Sequence, residues 1–186
     1  MHRLKAITAL GGTDPRVDQH GPITLSEKSG FALASVAART GGTKATTMAI
    51  KRLTGAPAPK PGQVNGNEIT AFWTGPDQWM LEAPYISHET LFEQATAEVK
   101  GKASVTEQSD GWCQFDLQGE GLSAVMERLC AINMHNFDAG HATRTSIEHL
   151  GCFVICRTKT HISILGPRSS AGSLHHGLLI AIRSAY

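Results

Sequence analysis

Two rhythms of apolar residues run along this chain. Phe31-Ala32-Leu33-Ala34-Ser35-Val36-Ala37-Ala38-Arg39 alternates loosely and predicts a first strand, after a glycine- and proline-broken start. Lys44 to Leu53 follows Gly41-Gly42-Thr43 and puts Ala45, Met48, Ala49 and Leu53 on one helical face, with Gly55 past the end. Pro57, Pro59 and Pro61 then stiffen a connector. Residues 69 to 83 read as a hairpin turning at Gly75-Pro76-Asp77. A helix opening at Ser87 and running through Val99 comes next, with Leu91, Ala95, Ala97 and Val99 as its apolar face and Gly101 as its stop. Ser104 to Asp116 alternates again around a break at Asp110-Gly111. Leu122, Val125, Met126, Leu129 and Cys130 keep the i, i+3, i+4, i+7 spacing of an amphipathic helix. Ala142 to Leu150 and Cys152 to Leu165 predict two or three strands, and Ser170 to Ser184 a last helix with Leu174, Leu178, Leu179 and Ile182 inward.

These elements repeat. The hairpin-closing Pro84 and Pro167 lie 83 positions apart, as do the helix leucines Leu91 and Leu174. Upstream, Lys51-Arg52-Leu53 and Glu127-Arg128-Leu129 end two helices at a spacing of 76. A drifting period with a steady element order predicts one supersecondary unit used twice. The order is β-α-β-β-α twice, with an additional strand near residues 104 to 109. The fold class expected is α+β, two ferredoxin-like halves forming a pseudo-duplicated domain. Residues 1–25 are expected as an extended arm, and 26–186 as one domain of two similar halves, about 26–101 and 102–186.

With 186 residues the chain buries enough surface to fold without disulfides or metal. Seventeen Lys plus Arg against 16 Asp plus Glu give a net charge of +1, which argues against a nucleic-acid binder held by general charge. Only 18% of residues are charged and 41% are hydrophobic, a balance that leans towards a partner interface. Cys113, Cys130, Cys152 and Cys156 form no C-x-x-C pair and read as small buried hydrophobes in a reducing cytoplasm. The first ten residues lack a full signal-peptide core, and no apolar run reaches membrane-span length, so a cytoplasmic location off the membrane is expected.

No motif along the chain marks a reactive site. No G-x-G-x-x-G follows a strand, and no G-x-x-x-x-G-K-[ST] or G-x-S-x-G is present. Gly119-x-Gly121 before a helix suits a phosphate, but a strand-to-helix turn needs small residues anyway. His135, His141 and His149 lie near one another in sequence, whereas His175 and His176, adjacent on a helix, point about 100° apart and share no ion easily. Asp110, Asp116 and Asp138 read as solvated turn or strand-edge carboxylates. Arg144 suits a partner's carboxylate or phosphate, though ion pairing within a fold is the commoner use. Trp73, Trp79 and Trp112 suit a planar ligand or, more commonly at strand positions, the core. No residue is assigned as catalytic, cofactor-binding or metal-binding.

Five segments together resemble a known family. Residues 31–39, Trp73-Thr74-Gly75-Pro76-Asp77-Gln78-Trp79, residues 104–112, residues 137–145 and Arg168-Ser169-Ser170-Ala171-Gly172-Ser173 resemble, in order, the gamma subunits of heterotetrameric sarcosine oxidases. The resemblance runs from about Gly30 to Ile182. It implies a fold similar to the folate-binding domain of glycine-cleavage aminomethyltransferase. It also implies a complex that oxidatively demethylates sarcosine to glycine and passes the one-carbon unit to tetrahydrofolate. By that resemblance FAD, FMN, NAD, tetrahydrofolate and zinc belong to the alpha, beta and delta subunits, and this chain supports them without catalysing. Folate-dependent relatives carry a carboxylate just after the helix that here ends at Cys130; Ala131-Ile132-Asn133 stands there instead. A neutral amide is a poor base and a poor stabiliser of developing positive charge. The alternatives are a free-standing folate-binding protein of the aminomethyltransferase type, a gamma-like subunit of a related N-methyl amino acid oxidase or dehydrogenase, and a ferredoxin-like module that binds RNA.

Overall fold

Strand and helix periodicity alternate cleanly, and the computed structural model, which describes residues 5–186, answers them with a mixed α/β fold. The strands are β1 (Val17–His20), β2 (Ile23–Lys28), β3 (Phe31–Ala38), β4 (Val64–Gly66), β5 (Thr70–Gly75), β6 (Gln78–Pro84), β7 (Ala103–Glu107), β8 (Trp112–Gly119), β9 (Ala142–Ile147), β10 (Leu150–Thr158) and β11 (His161–Pro167). The helices are α1 (Thr43–Thr54), α2 (Tyr85–His88), α3 (Leu91–Val99), α4 (Leu122–Leu129) and α5 (Ala171–Ala185).

The strands form two sheets, ordered β1-β2-β8-β11-β10-β9 and β4-β5-β6-β3-β7. Each has its own core, because alternate residues of a strand face opposite sides. In the six-stranded sheet Ile23, Leu25, Cys113, Phe115, Leu117, Val154, Ile162 and Ile164 pack with Leu122, Val125 and Met126 of α4 and Leu174, Leu178 and Ile182 of α5. In the five-stranded sheet Ala32, Ala34, Val36, Ala71, Trp79 and Leu81 pack with Ala49 and Ile50 of α1 and Leu91, Ala95 and Val99 of α3. The β5–β6 turn sits where glycine, proline and aspartate announce it; Asp77 takes φ 57°, a left-handed value that Asp tolerates better than most residues.

Three expectations need correction. Residues 1–4 lie outside the described residues, but the rest of the expected 1–25 arm is not simply extended. Val17–His20 and Ile23–Lys28 form an antiparallel hairpin, and β2 pairs with β8 over Ile23↔Gly119 to Lys28↔Gln114. Fully buried Ile23 and Leu25 drive this, and Gly21-Pro22 forms the turn between the two strands. Buried Glu27 holds the preceding segment by accepting the N–H groups of Leu10 (2.9 Å) and Arg16 (3.1 Å).

Nor do two contiguous halves, 26–101 and 102–186, describe the compact units. One unit holds the chain up to Ser29 with Asp110–Ala139 and Arg144–Tyr186; the other holds Gly30–Ser109 with Gly140–Thr143. Strand β7 stays with the earlier unit because it pairs with β3, from Ala34↔Glu107 to Ala38↔Ala103. Finally, the helix expected from Ser87 to Val99 breaks at Thr90, whose ψ of 31° interrupts it. The break re-aims the chain, so Leu91, Ala95 and Val99 enter the core while α2 buries no residue.

Candidate functional site

Strands β8 and β11 carry the most concentrated polar chemistry in the interior. Cys113, Phe115 and Leu117 feed one face of the sheet, so Gln114 and Asp116 fall on the other, beside Ser163 in the antiparallel register Asp116↔Ser163. All three are buried. Asp116 Oδ1 accepts the Ser163 hydroxyl at 2.8 Å and the Gln114 amide N–H at 3.0 Å. Arg157 Nε donates to Ser163 Oγ at 3.0 Å. His161 Nε2 lies 3.2 Å from Asp116 Oδ2 without the alignment of a hydrogen bond, and Gln114 Oε1 has no hydrogen-bond partner among the described residues.

Serine, histidine and aspartate are thus together, but in the wrong order for nucleophilic catalysis. That chemistry needs the imidazole between hydroxyl and carboxylate. Here the carboxylate stands between them, and Ser163 is fully buried with its proton already donated to Asp116. The arrangement pins β8 to β11 and satisfies buried polar groups. Asp116 is therefore not the solvated carboxylate expected of it; an Asp flanked by apolar neighbours at alternate positions reads as a solvent face until the opposite side is known to be buried.

A second cluster joins β1 to α5. The Arg16 guanidinium grips Asp18 through Nε–Oδ2 at 2.8 Å and Nη2–Oδ1 at 3.0 Å, and buried His175 places Nε2 2.8 Å from Asp18 Oδ2. The Arg16 hydrogen bond holds the Asp18 carboxyl below the usual carboxylate range; partial burial opposes this and His175 assists. The His175 ring also lies against Phe115, with centroids 5.6 Å apart. No sequence motif flags this cluster, since Asp18 and His175 are 157 positions apart.

The α4 start shows what Gly119 and Gly121 are for. Gly119 has φ 138°, and a Cβ there would collide with the Pro22 carbonyl oxygen across the β2–β8 pair; Gly121 has φ 79°, and a Cβ would strike the Tyr186 hydroxyl. That hydroxyl donates to the carbonyls of Glu120 (3.3 Å) and Gly121 (3.2 Å). Both glycines are required by close packing, with no phosphate in the explanation. Beside them lies a cavity of about 280 Å³ whose lining includes Ser123, Glu127, His135, Cys156 and Lys159. Lys159 reaches out to Asp138 at 3.1 Å, both largely exposed. Asn133, at the place where folate-dependent relatives were expected to carry a carboxylate, caps a short 3₁₀ turn by accepting the His135 N–H at 3.1 Å.

The remaining candidates disperse. Among the described residues no three His, Cys, Asp or Glu side chains gather as a metal site, so His135, His141 and His149 do not converge on one. His175 is buried and His176 exposed. Cys113, Cys152 and Cys156 are buried and Cys130 half-buried. Burial pushes the thiols of Cys113 and Cys152 up to about 11, leaving them protonated and poor nucleophiles near neutrality. Trp79 is core, its indole N–H donated to Pro59 O at 2.9 Å; Trp73 packs against the same core, and Trp112 lies 5.3 Å from Phe153. The Arg144 guanidinium sits 5.7 Å from the Phe153 ring centroid, a cation–π contact.

Compared with solved structures, the chain superimposes on a chain of the heterotetrameric sarcosine oxidase from Corynebacterium sp. U-96 with a TM-score of 0.78, covering 88% of this chain and 85% of that one at 22% identity. The likeness is one of fold. Aminomethyltransferase T of the glycine cleavage system from Bartonella henselae follows with a TM-score of 0.62 at 15% identity, over 82% of this chain but only 44% of that one. No protein-family model matches the sequence, and no curated protein matches it. A mixed α/β fold with, among the described residues, two antiparallel sheets and five α-helices agrees with a folate-binding-like domain. No helix among the described residues is long and apolar enough to cross a membrane.

Proposed function

We propose that this chain is a gamma-type, non-catalytic subunit of a flavin-dependent sarcosine oxidase complex in the cytoplasm. It docks on alpha, beta and delta chains that hold FAD, FMN, NAD, tetrahydrofolate and zinc. The observation that carries the reading is the fold shared with a sarcosine oxidase chain over nearly the whole length of both. Side-chain chemistry is in keeping with it: Asp116 and Ser163 are committed to each other, and Asp18 is held between Arg16 and His175. Its contribution to sarcosine demethylation is to shape and support the assembly.

We also read the domain as a duplication of one ferredoxin-like unit. Strands β4-β5-β6-β3 of one sheet correspond to β9-β10-β11-β8 of the other, and β7 and β2 take the same flanking place. In this reading the two copies of the β-α-β-β-α unit are β3-α1-β5-β6-α3 and β8-α4-β10-β11-α5, each with one further strand, β4 or β9, before its hairpin.

Co-expression with the three larger chains followed by native mass spectrometry tests the subunit reading. A complex containing this chain and bound flavins is expected; large chains that assemble and turn over sarcosine equally well without it would overturn the proposal. A free-standing folate-binding protein is the second reading, favoured by the fold shared with aminomethyltransferase T. Calorimetric heat on adding a reduced folate to the isolated chain would support it, and Asn133, occupied in capping a turn, weighs against it.

A further inference from the structure

Strand β7 is an edge strand whose free side is self-complementary. It pairs with β3 in a register that places Arg39 N–H on Lys102 O and Gln108 N–H on Leu33 O, each at 2.9 Å. Antiparallel ladders alternate. Residues 102, 104, 106 and 108 therefore turn their backbone N–H and C=O groups towards β3, while Ala103, Val105 and Glu107 turn theirs away. Among the described residues these three have no backbone partner on that side. The opposite edge of the same sheet is closed differently: Val64 N–H binds Gly140 O at 2.9 Å, and Ala142 N–H binds Gly62 O at 3.0 Å. Native sheets usually blunt such edges with proline, bulges or inward charges. Residues 103–107 contain no proline, the β3–β7 register runs without a bulge, and Val105 is half-buried.

We propose that β7 is a homotypic docking edge, pairing antiparallel with β7 of a second copy of this chain about a two-fold axis at Val105. The register follows from the parity. With Val105 opposite its own mate, Ala103 meets Glu107 of the other copy, and these are the residues whose N–H and C=O groups point outward, so each outward group finds a partner. A shift by one residue would oppose outward groups to inward ones and lose the ladder. The two Val105 side chains cover each other, and Ser104 faces Thr106 of the other copy. Charge favours the same polarity. Lys100 and Lys102 flank the start of the strand and Glu107 ends it, so antiparallel pairing brings acidic and basic ends together at both extremities, whereas parallel pairing opposes like charges. The edge belongs to the chain itself, so this inference is independent of the subunit reading.

The test uses the isolated full chain in sedimentation velocity across a wide concentration series, with backbone amide exchange as the site-specific readout. A monomer–dimer equilibrium is expected, with the Val105 and Glu107 amides gaining protection as the dimer fills. Val105→Pro removes an outward N–H, a substitution an edge strand accepts on its solvent side, and should weaken dimerisation by about ten-fold or more while leaving the circular dichroism of the monomer intact. Glu107→Lys, which costs the monomer no ladder bond, should weaken it as well, and more so at low salt. A chain that stays monomeric throughout, or a dimer that persists in both variants, overturns the proposal.

Discussion

Replacing Asp116 by alanine would separate a structural polar cluster from a functional one. Truncation leaves the Ser163 hydroxyl and the Gln114 amide N–H, held at 2.8 and 3.0 Å, without an acceptor in a region where both residues are buried. An orphaned buried donor costs about 1–3 kcal/mol. Two of them, less the desolvation recovered by removing the carboxylate, make a loss of about 3 kcal/mol. That is a large share of the roughly 5–15 kcal/mol that stabilises a typical domain. Urea unfolding should show a lower midpoint at unchanged slope, and the melting temperature should fall by about 6–12 °C. Asp116→Asn retains an oxygen acceptor and should cost only about 1 kcal/mol. An alanine variant within about 0.5 kcal/mol of the parent, or more stable than it, would refute the structural account. The latter result would recast these groups as strained for binding, since functional polar clusters commonly form at the expense of stability.

Three further outcomes are expected. Gly119→Ala should destabilise by about 3 kcal/mol or more in chemical denaturation, because φ 138° is unfavourable to an L side chain and the added Cβ meets the Pro22 carbonyl. The Asp18 carboxyl is held below its usual pKa, so its stabilisation is complete above about pH 4 and is lost as pH falls through the lowered folded value; the melting-temperature gap between parent and Asp18→Asn should be constant near neutrality and close in that acidic window. With thiol pKa values near 11, Cys113 and Cys152 should react with a disulfide reagent at pH 8 far more slowly in the folded chain than in denaturant, half-buried Cys130 leading.

Much of the architecture is legible in residue order. Helix α4 falls where Leu122, Val125, Met126 and Leu129 keep helical spacing, and the β5–β6 hairpin turns at the predicted Gly75-Pro76-Asp77. These features are local: a period of 3.6 or 2 and a turn residue with the right φ are specified within a few positions. Strands β1 and β2 were obscured because Asp14-Pro15 and Gly21-Pro22 bound two short runs, whose pairing with each other and, for β2, with β8 depends on distant segments. The polar clusters were hidden for a related reason. Asp116 and Ser163 are 47 positions apart, and Asp18 and His175 are 157 apart. Sequence alone determined where helical and strand periodicity runs and that the chain turns at Gly75-Pro76-Asp77, but not every buried face: in α1 the expected Ala45 and Met48 are exposed, while Thr46, Ala49, Ile50 and Thr54 are buried. Tertiary structure decided which polar faces were buried, which distant groups met, and which strand edge stayed open, because burial and pairing depend on segments that no local window contains.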